Sequence, residues 1–210
     1  MMKMWFSTLL ILINLSAFSL AQELELLSDD SVEAYLSSVR QLNTLDANYL
    51  QKKQVQILDR KIQSKGRFIY VKDRGLLWHL KSPFEIVTVI KPTEYYQLDE
   101  NFNRMPDQTN SDQLAPILAQ IFNIFSGDLE PLEKNFMIYG ARNKQQWIIK
   151  LVPIDEITKT VIEDIVIHGN RFIQSVFINN QNGDNTSIFF SEIKENSQTV
   201  TENELIFFTK

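Results

Sequence analysis

The stretch from Gly66 to Pro83, GRFIYVKDRGLLWHLKSP, restricts the fold more than any other in the chain. Phe68, Tyr70 and Lys72 fall on one side of an extended backbone, and Arg67, Ile69 and Val71 on the other. Asp73-Arg74-Gly75 supplies turn chemistry, Gly75 being free to take a positive φ. Beyond it, Leu76, Trp78 and Leu80 share one face, and Leu77, His79 and Lys81 the other. Pro83 ends the run, because proline donates nothing to a ladder. The spacing predicts a β-hairpin with one bulky, aromatic face interrupted by a single cation. So apolar a face must be covered by protein or by a ligand.

The remaining chain predicts more strands and two helices. Ser28-Asp29-Asp30-Ser31 offers N-caps for a short amphipathic helix through Leu42, with Val32, Tyr35, Leu36, Val39 and Leu42 at helical spacing. Leu45 to Leu58 reads as a strand broken near Lys52-Lys53, Phe84 to Ile90 and Thr93 to Leu98 as strands, and Asp99 to Asn110 as a loop. A second helix is expected from Leu114 to Phe125. Leu114, Leu118, Ile121, Phe122 and Phe125 form one apolar face of it, and Pro116 fits only its first turn. After Pro131 the pattern is again β: Asn135–Ala141, Gln146–Val152, Thr160–His168, Phe172–Asn179, Ser187–Glu195 and Leu205–Phe208. Gly169-Asn170 and Asn182-Gly183 are strong hairpin dipeptides. About eleven short antiparallel strands with two helices predict a mainly β (α+β) fold, a sandwich or barrel rather than βαβ units. Several strands are apolar on both faces, which suits a closed or nearly closed sheet with helices against its mouth.

The first 21 of the 210 residues read as a signal peptide. Lys3 marks its basic end, Phe6 to Phe18 its apolar core and Ser19-Leu20-Ala21 its cleavage site. That core is too short to span a bilayer comfortably. Residues 22–210 are then expected as a single soluble domain in the periplasm, with no cysteine to carry a lipid anchor or form a disulfide. With 21 basic residues against 26 acidic and no basic cluster, binding to nucleic acid or anionic lipid is not expected. Nothing points to an oligomer, and a monomer is expected.

Reaction chemistry is hard to place. The two histidines, His79 and His168, have no neighbours at metal-ligand spacing and read as solvated; no cofactor is expected. No nucleophile elbow, metalloprotease helix or phosphate loop occurs, and the carboxylates are scattered. The sequence offers no enzyme site, and the function expected is not enzymatic. What remains is a container or a plain core: an aromatic wall of Phe68, Tyr70, Leu76, Trp78 and Leu80, faced by Val39 and the second helix, with Lys72 at its rim.

These residues resemble the LolA-type family of periplasmic outer-membrane lipoprotein carriers. Leu45-x-Ala47-x-Tyr49-x-Gln51 is similar to the family's F-x-A-x-F-x-Q, and Gly66-x-Phe68 to its G-x-L/F. Leu76-x-Trp78-His79-Leu80 followed by Pro83 is similar to F-x-W…P. Thr93 to Leu98, the run after Pro116, and Thr160 to Ile178 follow in the family's order. The resemblance implies an incomplete antiparallel β-barrel with helices as a lid over a lipid-binding cavity. It implies a carrier that takes acyl chains of lipoproteins, or another lipid, from an inner-membrane transporter to an outer-membrane acceptor. The alternative it leaves open is a lipoprotein-sensing or assembly protein that binds a protein partner. The family's lid-latching arginine falls on Lys72, which lacks arginine's fork of donors, so a weaker latch or a headgroup contact is implied. Lys91-Pro92 replaces the usual Asp-Gly turn, and the chain ends just after the last expected strand.

Overall fold

The computed structural model describes residues 24–92, 94–106, 122–126, 129–143, 146–195 and 200–209. The expected leader, residues 1–21, lies outside them, as do Thr93 and residues 107–121, which hold most of the second expected helix. Among the described residues, eleven strands form one antiparallel sheet. In chain order they are β1 (Glu25–Leu26), β2 (Thr44–Val55), β3 (Arg60–Val71), β4 (Gly75–Ser82), β5 (Ile86–Ile90), β6 (Tyr95–Leu98), β7 (Phe136–Arg142), β8 (Trp147–Pro153), β9 (Ile162–Gly169), β10 (Ile173–Asn180) and β11 (Asn185–Glu195). Their order across the sheet is β1-β7-β8-β9-β10-β11-β2-β3-β4-β5-β6. β1 and β6 are its edges, so the barrel is incomplete, as expected.

The helices are α1 (Asp29–Arg40), α2 (residues 122–126), α3 (Glu130–Asn135), α4 (Glu156–Lys159) and α5 (Glu202–Leu205), the last continuing as a 3₁₀ turn, Ile206–Phe208. Ser28 is the N-cap of α1 by its backbone, while its hydroxyl bonds Ser31 at 3.0 Å. The opening hairpin forms where the alternation places it, with Gly75 at φ 139° and Asp73 at φ 61° in its turn.

Three expectations need correction. β2 runs unbroken through Lys52-Lys53, because every residue of it pairs with β3. Pro131 opens a helix rather than a strand: it lies in the first turn of α3, where a missing N–H costs nothing. Leu205–Phe208 is helical, not a strand. Thr201 and Glu204 close a reciprocal capping box that starts α5, so four consecutive apolar residues are wound into turns.

The sheet divides two cores. Its inner face, with α1 and α2, encloses one cluster that runs from Leu45 and Phe68 through Ile149 and Ile167 to Ile188 and Phe190. The registers align these residues: Ile149, Ile167, Val176 and Ile188 stand opposite one another across β8, β9, β10 and β11. The outer face of β3 to β6 carries a second cluster, including Ile69, Leu77, Val89 and Leu98. Val200, Leu205, Phe207 and Phe208 cover it. Arg67 fastens that cover: it donates from Nε and Nη2 to both Asp46 oxygens, at 2.8 and 2.9 Å, and from Nη1 to Glu204 of α5. The hydrogen bond to Asp46 is the main reason its pKa is raised further. The Tyr96 hydroxyl donates to the Phe207 carbonyl.

Candidate functional site: an aromatic wall and its plug

The inner wall is built by cross-strand registration. Ala47, Phe68, Trp78 and Thr88 stand in one row across β2 to β5, and Leu45, Tyr70, Leu76 and Ile90 in the next. Val39, Phe68 and Leu76 are each 0% exposed, and Tyr70 and Trp78 are buried with them. All five belong to the inner cluster, so the structure brings these expected site residues together. Leu80 is only half-buried, two residues from the end of β4. From the second expected helix, Phe122 packs half-buried on the cluster and Phe125 is buried in it. Leu114, Leu118 and Ile121 lie outside the described residues.

Phe125 fills the wall. Its ring centroid is 4.8 Å from that of Phe68 and 5.8 Å from that of Tyr70. Phe68 in turn meets Trp78 edge-on at 5.8 Å and Phe190 at 5.3 Å. These are the spacings at which aromatic pairs attract beyond their buried area. Burial pushes the Tyr70 phenol up to about 12, with the Asp73 charge a lesser cause, so it stays a neutral O–H.

Lys72 sits elsewhere. β3 ends at Val71, and Lys72 lies in the following turn with its side chain exposed and its amide donating to the Asn43 carbonyl at 2.8 Å. It does not continue the face of Phe68 and Tyr70, because the turn breaks the alternation one residue earlier than the sequence suggests. His168 is also displaced from its expected solvated turn. It lies half-buried in β9 with its ring 5.3 Å from Phe177, and burial lowers its pKa. His79 pairs with Glu85 at 2.7 Å.

Sequence reasoning missed two members of the wall, Tyr49 and Phe190. Tyr49 is 2% exposed, and its ring lies 4.3 Å from Trp78 at a tilt of 35°. It rests over Gly66 of the neighbouring strand: a Cβ there would come within 2.9 Å of the Tyr49 ring and 1.9 Å of the His79 carbonyl oxygen. Its O–H has no acceptor, and the donor beside its oxygen is the Trp78 indole N–H. Burial raises its pKa well above that of a free phenol, opposed only by the Trp78 indole beside it. Phe190 stands opposite Tyr49 across the β2–β11 ladder. The alternation of Leu45, Ala47 and Tyr49 was the available signal, but it does not say which face turns inward.

At Phe190 the sheet opens. β10 and β11 stay paired only from Asn179/Asn185 to Ser175/Phe189. Beyond that, β11 bulges at Glu192, φ 51°, and continues along β2 alone. The gap is an open cleft of about 520 Å³, with Phe172, Phe190 and Ile193 at its apolar side and Arg171 and Glu192 at its polar side. Arg171 pairs with Glu195, and Glu192 accepts from Asn48 at 2.8 Å.

An open antiparallel sheet wrapped round an apolar core and faced by short helices defines a class of half-barrel proteins. The family described as "Outer membrane lipoprotein carrier protein LolA" matches residues 40–204, and the chain belongs to that family. Similar solved structures include a LolA superfamily protein from Nitrosomonas europaea. It is 7% identical, with 81% of this chain and 94% of that one covered at a TM-score of 0.44. Another is a DUF1329 family protein from Desulfovibrio piger, 8% identical, with 80% and 91% covered at 0.43. No curated protein matches. No helix of the described residues is long and apolar enough to cross a membrane.

Proposed function

We propose that this protein is a periplasmic carrier. It shields the acyl chains of a lipoprotein or another lipid between an inner-membrane transporter and an outer-membrane acceptor, and it performs no chemistry. One observation carries this reading most: Phe125, on a short helix outside the sheet, occupies the aromatic wall by ring contacts. Magnitudes favour exchange. Exposing a chain of about sixteen carbons to water costs on the order of 12 kcal/mol, at about 0.8 per methylene. Withdrawing one phenylalanine ring from a core costs about 3 kcal/mol. A guest chain that takes the place of Phe125 therefore gains more than the plug loses. Release needs only the reverse swap at an acceptor that binds the chain better.

The test is direct. Lipid extracted from the purified protein and identified by mass spectrometry, together with uptake of a fluorescent acyl probe, is the expected result. A protein that is empty, refuses the probe and instead forms a stable complex with another protein would replace this reading with that of an assembly or sensing partner.

A further inference from the structure

We propose that Tyr49 is the polar anchor of the wall, its hydroxyl donating a hydrogen bond to the ester carbonyl of a bound acyl chain; this rests on the carrier reading above. The Tyr49 side chain is buried in the inner cluster, and its O–H has no acceptor: the Trp78 indole N–H beside the oxygen can only donate to it. A buried hydroxyl proton without an acceptor costs free energy that phenylalanine at the same place would not. Burial keeps the phenol protonated, so it can donate. An ester carbonyl only accepts, and it is the polar group that an acyl chain brings into an apolar site. A resident water would want two to four polar partners. Around Tyr49 the wall presents Trp78, Phe190 and the bare backbone of Gly66.

Position supports the same assignment. Ester groups sit where lipid tails meet the headgroup, so their carbonyls belong near an opening. Phe190, the cross-strand partner of Tyr49, also lines the cleft between β10 and β11. A chain entering there would run inward along Phe68 and Trp78, which touch Phe190. It would leave its headgroup beside Arg171 and Glu192. Lipoproteins and phospholipids both carry such esters.

The test compares the full-length wild type with Tyr49→Phe. The lipids are dipalmitoyl phosphatidylcholine and its dihexadecyl ether counterpart, which has no carbonyl, each read by displacement of a fluorescent acyl probe. The wild type should bind the ester about tenfold more tightly than the ether, the worth of one hydrogen bond. Tyr49→Phe should bind both alike, at the wild type's ether level, and its lipid-free melting temperature should be unchanged or higher. Wild-type binding without ester preference would overturn the anchor and leave the carrier reading standing. Failure of the wild type to bind either lipid would remove both. A dipalmitoyl lipopeptide as competitor identifies the source: if its displacement depends on Tyr49, the carbonyl is a lipoprotein's, and if only the phospholipid's does, it is a membrane lipid's.

Discussion

The two faces of this sheet are covered by different means. On the outer face, α5 and the 3₁₀ turn after it are tied by polar bonds: Arg67 to Asp46 and Glu204, the Thr201–Glu204 box, and Tyr96 to the Phe207 carbonyl. On the inner face, Phe125 lies in the wall by ring contacts. The difference matters because polar bonds are specific to their partners, whereas apolar contact is not. Lifting the outer cover breaks the Arg67–Glu204 pair and takes the Phe207 carbonyl from the Tyr96 hydroxyl. Lifting Phe125 uncovers the ring faces of Phe68 and Tyr70, which another hydrocarbon can cover again. On the proposed carrier reading, the outer face stays closed while the inner one opens to a guest.

Phe125→Ala should have the largest effect on stability. A Phe→Ala change in a core costs about 3–5 kcal/mol. If the inner cover is exchangeable, saturating lipid recovers most of that loss in urea denaturation, and the variant binds the acyl probe at least as tightly as the wild type. A loss that lipid does not touch would make Phe125 ordinary core and erase the contrast. Arg67→Met should come next, at about 2–3 kcal/mol, because it removes the guanidinium that faces buried Asp46 and half-buried Glu204. Here lipid should recover nothing beyond its general stabilisation of the wild type. Thr201→Ala removes one side of the capping box and should cost about 1 kcal/mol, again independently of lipid.

The smallest effect concerns pH on the uncovered part of the outer face. Burial depresses the folded-state pKa of His168, so the unfolded chain binds the proton more readily. The stability that neutral His168 contributes is complete above about pH 6.5 and is lost as pH falls through that value toward the folded pKa. His168→Gln should flatten this slope in thermal melts between pH 7.5 and 5. An unchanged slope would place its origin in other groups.

The sheet was legible because its signals are local. Period-two alternation located β3, β4 and the strands from β7 to β11, and Asn182-Gly183 located the last hairpin, where Gly183 adopts φ 82°. The C-terminal helix was misread because a four-residue apolar run does not reveal its period. The capping box at Thr201 and Glu204 was the signal that separates the two, and it was overlooked. The clamp on Arg67 could not be seen at all: its partners stand 21 and 137 residues away, on what alternation marked as the plainer side of the hairpin. Lys72 shows the opposite failure. Its parity was right, but the strand stops at Val71, and parity means nothing inside a turn.

The margins of the sheet carry one more consequence. β1 has two residues and β6 four, and past β6 the chain folds back to bridge Leu98 with Arg104. Unclosed ladders ordinarily invite copies of themselves to stack into fibrils. Among the described residues these stubs present few free amides and carbonyls to template such growth, so a carrier of this shape, as proposed, could open for cargo without seeding its own precipitation.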